Sequence, residues 1–166
     1  MIIIGIDPGT ARMGYGVIEV KGGVSKALNY GLIETSKDMV MPMRLKKIYD
    51  ALTGIIAKSG ASEFAIEQLF FNTNVTTAIT VGQARGVAIL AAANAGLEIF
   101  DYTPLQVKMA LTGYGRADKN QVQQMVKLLL TLKAIPKPDD TADALAIALC
   151  HAGSRKLNKL KNAKKE

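Results

Sequence analysis

Residues 1–20 read MIIIGIDPGTARMGYGVIEV and place a single carboxylate, Asp7, at the end of an apolar run. The run predicts a buried strand over residues 2–7, and a glycine-rich turn leads from it into a second strand over 14–20. Burying a charge is unfavourable unless it is paired or binds a metal. Asp7 is therefore either a site residue at a strand tip or, since Pro and Gly follow it, a turn residue.

The composition suits one domain with a partner of negative charge. The 166 residues are 49% hydrophobic and carry a net charge of +7, and nucleic acid is the commonest partner of such a basic chain. One cysteine, Cys150, excludes an internal disulfide and favours a reducing, cytoplasmic setting. The start lacks the pattern of a signal peptide, and no apolar run is long enough to span a membrane.

Hydrophobic periodicity predicts five strands and five helices. The strands are expected over residues 2–7, 14–20, 25–35, 63–67 and 97–102, with a turn at KGG between the second and third. Helices are expected after Pro42, over 75–95, after the capping residues Thr103 and Asp118 (the latter to about Leu132), and from near Asp140 to Gly153. This order predicts an α/β fold, a mixed five-stranded sheet with helices on both faces, over residues 1–153. Residues 154–166 are expected to form a basic, disordered tail.

Four carboxylates are predicted to meet at one edge of this sheet. Asp7 and Glu67 end strands that a helical crossover makes parallel neighbours. Asp140 and Asp143, three residues apart, share one face of the last helix. Such a cluster needs a cation, and oxygen ligands favour Mg²⁺ or Mn²⁺ over Zn²⁺. Two such ions would support hydrolysis of a phosphodiester.

Each acid also has a structural interpretation. Glu67 can be a surface strand end, and Asp143 can complement the helix dipole. Asp140 can be an N-cap, with Asp139 as its rival for that position. Asp101 ends another strand, so both Asp101 and Asp139 remain open as further members of the site.

Five segments together resemble the RuvC family of Holliday-junction resolvases. They are GIDPGTARMGYGVI, FAIEQLFF, VGQARGVAI, DYTPLQVKMALTGYGRADKNQVQQMV and DDTADALAIALCH, in this order over roughly residues 2–152. The resemblance implies a ribonuclease H-like fold and a homodimer that makes paired nicks in four-way DNA junctions, leaving 5′-phosphate ends. It also implies two Mg²⁺ per subunit, replaceable by Mn²⁺, held by the family's four acids, which fall on Asp7, Glu67, Asp140 and Asp143.

The same resemblance assigns further roles. The family's base-stacking aromatic falls on Phe70, and its two functional lysines fall on Lys108 and Lys119. The family also suggests RuvA and RuvB as partner proteins in recombination and repair. An exposed ring beside the site would stack on a base that is unpaired at the crossover.

Other expectations come from the residues themselves. Arg12 follows the glycine turn near Asp7, where it would reach a DNA phosphate. Arg44, with its lysine neighbours, begins a helix against the dipole and either faces DNA or is solvated. Gly82 and Gly86, four apart on the helix over 75–95, permit close approach of a second subunit or tight packing on the chain's own sheet. Cys150 is expected to be packed in the core, and His151 is expected at the surface or the helix end.

Three rival functions remain open at this stage. The opening strand, acid and Gly/Thr turn also occur in sugar kinases and actin-like ATPases, but these need a second lobe that 166 residues do not supply. A junction-binding module without catalysis would not need four acids. A related nuclease acting on RNA would need groups that read a 2′-hydroxyl.

Overall fold

A computed structural model describes residues 1–69 and 75–162, and the side chains of these residues apart from 75–76 and 156–162. The strands are β1 (Ile2–Asp7), β2 (Arg12–Lys21), β3 (Val24–Glu34), β4 (Glu63–Glu67) and β5 (Glu98–Tyr102). The helices are α1 (Met41–Ser59), α2 (Val75–Asn94), α3 (Pro104–Thr112), α4 (Lys119–Leu129) and α5 (Asp139–Asn162). No helix in the described part of the chain is long and apolar enough to cross a membrane.

The five strands form one mixed sheet in the order β3-β2-β1-β4-β5. β1, β2 and β3 pair antiparallel, and Gly22 and Gly23, both at positive φ, make the tight turn predicted at KGG. β1 and β4 pair parallel through the α1 crossover, and β4 and β5 pair parallel through α2. The predicted ribonuclease H-like sheet is therefore confirmed, including the neighbouring positions of β1 and β4.

Local sequence signals explain where the helices begin and end. Thr103 and Asp118 cap α3 and α4, and Gln106 and Gln121 complete the two predicted capping boxes. α1 ends at Gly60, which adopts the left-handed conformation that glycine tolerates best. These boundaries of α1, α3 and α4 are therefore specified by local sequence.

The sheet has a hydrophobic core on each face. Along β1, Ile3 packs toward α3, α4 and α5, whereas Ile4 and Ile6 pack toward α1 and α2. β4 alternates in the same way, with Ala65 on the α5 side and Phe64 on the other. Helices on both faces were predicted, and this alternation shows how the strands support them.

Three expectations about ends and burial were wrong. α4 ends at Leu129 rather than near Leu132, because Thr131 takes a positive φ that no helix can include. α5 continues past Gly153 to Asn162, into the segment expected to be a tail. His151, expected at the surface, is fully buried, whereas Cys150 is buried as expected. The domain limit at 153 stays a prediction.

His151 is buried because it joins α5 to β4 and β5. Its Nδ1 lies 2.6 Å from the Tyr102 hydroxyl, and its Nε2 lies 2.8 Å from Glu63 Oε2. Arg155, one turn further along α5, donates Nε to both oxygens of Glu63 at 2.8 Å. Burial lowers the pKa of His151, and the hydrogen bond to Glu63 opposes this only in part. A neutral imidazole satisfies both contacts, since Nε2–H donates to Glu63 and Nδ1 accepts from Tyr102.

The Glu63 carboxylate should be necessary for stability, because it is the anion against which Arg155 is held. Glu63→Gln keeps the shape but removes the charge. We expect a loss of about 2 kcal/mol in the free energy of unfolding, since the charge-assisted hydrogen bonds to Glu63 are weakened while Arg155 stays partly solvated. Urea denaturation followed by circular dichroism measures it. Glu34→Gln, at the exposed end of β3, is the control, and equal stability of both variants would contradict this role.

Candidate active site

Two carboxylates stand at the tips of neighbouring parallel strands. Ile6 in β1 lies opposite Ile66 in β4, so the next residues, Asp7 and Glu67, end the two strands side by side. Because side chains alternate along a strand, Asp7 belongs to the same face as Ile3, which packs beneath α5. Both acids are therefore on the side of the sheet that α5 covers.

α5 reaches these tips because glycines let its backbone lie against the sheet. In β1–β2, Gly14 is the direct partner of Asp7. A Cβ at Gly14 would overlap the backbone carbonyl of Asp140, and one at Gly5 would overlap that of Ala144. The first turn of α5 thus sits directly over the strand position next to Asp7.

Burial and the charges of neighbouring acids raise the pKa of Asp7, Glu67 and Asp143. Burial raises the pKa of Asp7 to about 8, assisted by the negative charges of Glu67, Asp143 and Asp140 and opposed by Lys119. Burial and the charge of Asp143 raise the pKa of Glu67 to about 7. Burial also raises the pKa of Asp143, against the opposing hydrogen bond from Lys119. The negative charges of these acids thus repel one another in a partly desolvated cluster.

Cations contact the α5 carboxylates. Lys119 Nζ lies 3.0 Å from Asp143 Oδ2 and 3.5 Å from Asp139 Oδ2, and Arg12 Nη1 lies 3.9 Å from Asp140 Oδ2. Burial lowers the pKa of Lys119, but the hydrogen bond and charge of Asp143 outweigh it, so the pKa is raised. Lys119 is the first residue of α4, immediately after the Asp118 cap. The capping box therefore fixes the position of the Lys119 backbone at the start of the helix.

Lys108 lies on the other side of the same cluster. It projects from α3 into a cleft of about 260 Å³ that Glu67, Asp143 and Lys119 also line. The two lysines implied by the family resemblance are therefore both placed beside the acids, although they come from different helices.

The donor set suits a hard divalent cation. Apart from Lys119, the charged side chains that shift the pKa of Asp7 are carboxylates, which are the ligands that Mg²⁺ and Mn²⁺ prefer. A bound cation would also remove the repulsion that raises their pKa values. Within residues 1–69 and 75–162, no three acidic, histidine or cysteine side chains are already close enough to enclose an ion. Asp143 and Asp140 instead contact Lys119 and Arg12.

The two further acids left open by the sequence occupy different places. Asp101 lies two residues after Ile99 on β5, so its side chain is on the same face of the sheet, the one that α1 and α2 cover. Its carboxylate pairs with Arg85 of α2. It is therefore on the opposite face from Asp7. Asp139 is close to the cluster, but the hydrogen bond from Lys137 lowers its pKa, and its side chain lies at the outer edge of α5.

Two other predicted residues belong to α2 and one precedes it. Phe70, the expected stacking aromatic, lies outside the described residues. A Cβ at Gly82 would lie 3.8 Å from Leu69, an ordinary contact, and a Cβ at Gly86, which is exposed, would meet no atom of the described residues. Packing against the described residues therefore does not require glycine at either position.

The sequence predictions omitted the hydrogen bonds that hold the β1–β2 turn. Thr10, in that turn, donates its hydroxyl to the Thr80 carbonyl at 2.8 Å, and Thr35 donates to the Thr10 carbonyl at 2.6 Å. No spacing in the sequence relates these three threonines. The glycines beneath α5 did leave a signal, the alternation of Gly14 and Gly16 within an otherwise apolar strand.

Comparison with known proteins gives one family over most of the chain. The sequence profile described as crossover junction endodeoxyribonuclease RuvC matches residues 3–151. A protein of that description from Alkaliphilus oremlandii is 61% identical over 152 residues, 92% of this chain and 93% of that protein. Another, from Clostridioides difficile, is 56% identical over 163 residues and covers 98% of this chain and 96% of its own.

A solved structure shows the same arrangement of elements. Thermus thermophilus RuvC in complex with a Holliday junction substrate superposes with a TM-score of 0.91 at 37% identity. The superposition covers 95% of this chain and 96% of that one. The sequence profile and this superposition therefore agree with the family that the five motifs indicate.

The raised pKa of Asp7 predicts how metal-free stability depends on pH. Asp7 keeps its proton up to about pH 8 in the folded protein, whereas an unfolded aspartate loses it near 4. Stability therefore falls as the pH rises between these values, by at most about 1.4 kcal/mol per pH unit for one proton. Asp7→Asn removes this contribution and should flatten the dependence.

Urea unfolding in chelator from pH 5 to 8 measures this slope. Asp101→Asn, at a strand end on the opposite face, should keep the slope of the original protein. If Asp7→Asn and the original protein had the same slope, Asp7 would not be a desolvated carboxyl.

Proposed function

Because the chain belongs to the RuvC family of crossover junction endodeoxyribonucleases, we propose that it resolves four-way DNA junctions by paired symmetric nicks. The main support for this proposal is the cluster of four carboxylates at the tips of β1 and β4 and the start of α5. The basic net charge of +7 suits the polyanionic substrate. Such an enzyme would serve homologous recombination and DNA repair in the cytoplasm.

Asp7, Glu67, Asp140 and Asp143 would hold two Mg²⁺, or Mn²⁺ in their place. To do so, Asp143 turns from Lys119 and Asp140 from Arg12, contacts that are 3.0 Å and 3.9 Å long. Bound there, such ions would activate a water and stabilise the leaving oxygen. The ionised forms of Asp7 and Glu67, which burial disfavours, become favourable when the cation charge is nearby.

The chain's own groups position the scissile phosphate. Water bonds to phosphorus and the bond from phosphorus to O3′ breaks, which leaves a 5′-phosphate and a 3′-hydroxyl. Lys108 and Lys119 face the carboxylates from two helices, so they can bind the phosphate oxygens and offset the charge that develops on them. Once it leaves Asp140, Arg12 can bind the same DNA strand. Phe70 would stack on an unpaired base at the crossover.

Two cuts related by symmetry require two active sites, and a C₂ homodimer provides them. The outer face of α2 supports this assembly, because Ile79, Gly86 and Leu90 recur on it at helical spacing and are exposed. Gly82 lies on the same helix. We place the dimer interface on α2, and we expect RuvA and RuvB to act with the enzyme at branch-migrating junctions.

A synthetic four-way junction tests this function. In Mg²⁺ the protein should make paired nicks at symmetric positions in the junction and leave a matched linear duplex intact. Chelator should abolish nicking, since removal of the ions removes the activated water. Asp7→Asn should reduce the rate by at least about 100-fold, as expected when charge stabilisation at a reacting centre is lost.

The matched control is Asp101→Asn, which removes a strand-end carboxylate from the opposite face and should nick at the original rate. Tight junction binding without nicks in either metal would replace the proposal with a non-catalytic binding module. Equal action on linear duplex or on RNA would contradict junction selectivity.

A further inference from the structure

A second groove lies beside the carboxylates, on the side away from Lys108. It has a volume of about 700 Å³ and runs from Asp140 and Lys119, past the β1–β2 turn, to α1 and α2. Four basic side chains line it: Arg12, Arg44, Lys119 and Lys137. Its acids, Asp139 and Asp140, are confined to the end where the metal site is proposed. The far end, toward α1, is therefore the more positive.

Arg44 differs from the other basic residues at the start of α1. Its side chain is half-buried, whereas Lys46 and Lys47 are exposed, and Lys46 pairs with Asp50 on its own helix. Arg44 Nε donates to Thr35 Oγ1 at 2.8 Å. The sequence left open whether these basic residues contact DNA or are solvated. In the structure Arg44 faces the groove, whereas Lys47 faces solvent.

The hydrogen bond from Arg44 is the first of a buried series. Thr35, only 7% exposed, donates a hydrogen bond from its hydroxyl to the Thr10 carbonyl, and the Thr10 hydroxyl donates to the Thr80 carbonyl of α2. The Thr35 amide also donates to the Ala11 carbonyl at 3.0 Å. The guanidinium is therefore held against the turn that follows Asp7.

This anchoring fixes which edge of the guanidinium faces the groove. Arg44 uses Nε for Thr35, and its Nη atoms make no hydrogen bond or ion pair with any described residue. A guanidinium presents pairs of N–H groups in a planar fork that matches two oxygens of one phosphate. An ordered fork in a basic groove is suited to a phosphodiester rather than to a carboxylate side chain of the same protein.

We propose that this groove binds the DNA backbone next to the scissile phosphate, and that Arg44 binds one of its phosphates through the Nη edge. Thr35 and Thr10 are positioning residues that hold Arg44 and the β1–β2 turn in one geometry. The inference rests on the proposed function, since it assigns a subsite for the strand that the carboxylates would cut.

Binding is measured with a four-way junction in proteins that also carry Asp7→Asn, so that no cleavage intervenes. Arg44→Gln should weaken binding about tenfold, as loss of a charge-assisted hydrogen bond does. It should also reduce the slope of log K against log salt by about one, because one phosphate contact is lost. Arg44→Lys should weaken binding but keep the slope. Lys47→Gln, three residues away and exposed, is the control and should change neither quantity.

Single methylphosphonates, which remove the charge of one phosphate, locate the contact. Placed at successive positions beside the scissile phosphate, one of them should weaken binding of the Arg44 protein about tenfold and have no effect on the Arg44→Gln variant. A purely structural role for Arg44 would not make the effect of one methylphosphonate depend on whether Arg44 is present. The same penalty in both proteins at every position would overturn the proposal.

Different results would contradict the Arg44 subsite and the proposed function. If the protein without substitutions binds and nicks junctions while Arg44→Gln keeps its affinity and salt slope, only the Arg44 subsite is wrong. If the unsubstituted protein neither binds nor nicks a junction, the proposed function fails and the subsite fails with it.

Discussion

The close contact between α5 and the β1–β2 hairpin is the constraint on which the site depends. Gly5, Gly14 and Gly16 present no side chains beneath the helix, and a Cβ at any of them would overlap α5. Because the helix backbone lies directly on the strands, its first turn reaches the tips of β1 and β4. At the other end of the same contact, Arg155 of α5 binds Glu63 of β4 and holds the helix along the sheet.

This close packing has an electrostatic consequence. The acids of α5 are brought into a partly desolvated space with Asp7, whose pKa rises to about 8. A protein that needed only stability would not retain such a cluster, because it favours protonated carboxyls over ionised ones. Lys119 offsets part of the repulsion through Asp143. The remaining negative charge would attract a divalent cation.

The sequence predicted those features that depend on local patterns. Alternation and capping boxes located the strands and most helix starts, and the crossover rule placed β1 beside β4. The prediction that His151 lies at the surface was wrong, because its burial depends on Tyr102 and Glu63, which are 49 and 88 residues away in the chain. The same distant contact through Arg155 extends α5 beyond Gly153. The Arg44–Thr35–Thr10 hydrogen bonds were invisible for the same reason.

We propose that four carboxylates from three elements form one site for divalent cations. Anomalous diffraction from crystals soaked in Mn²⁺ tests it most directly, because the signal locates the metal without reference to activity. We predict two peaks per subunit between the tips of β1 and β4 and the start of α5, coordinated by Asp7, Glu67, Asp140 and Asp143. Peaks confined to Asp139 or Asp101, or no peak near Asp7, would contradict it.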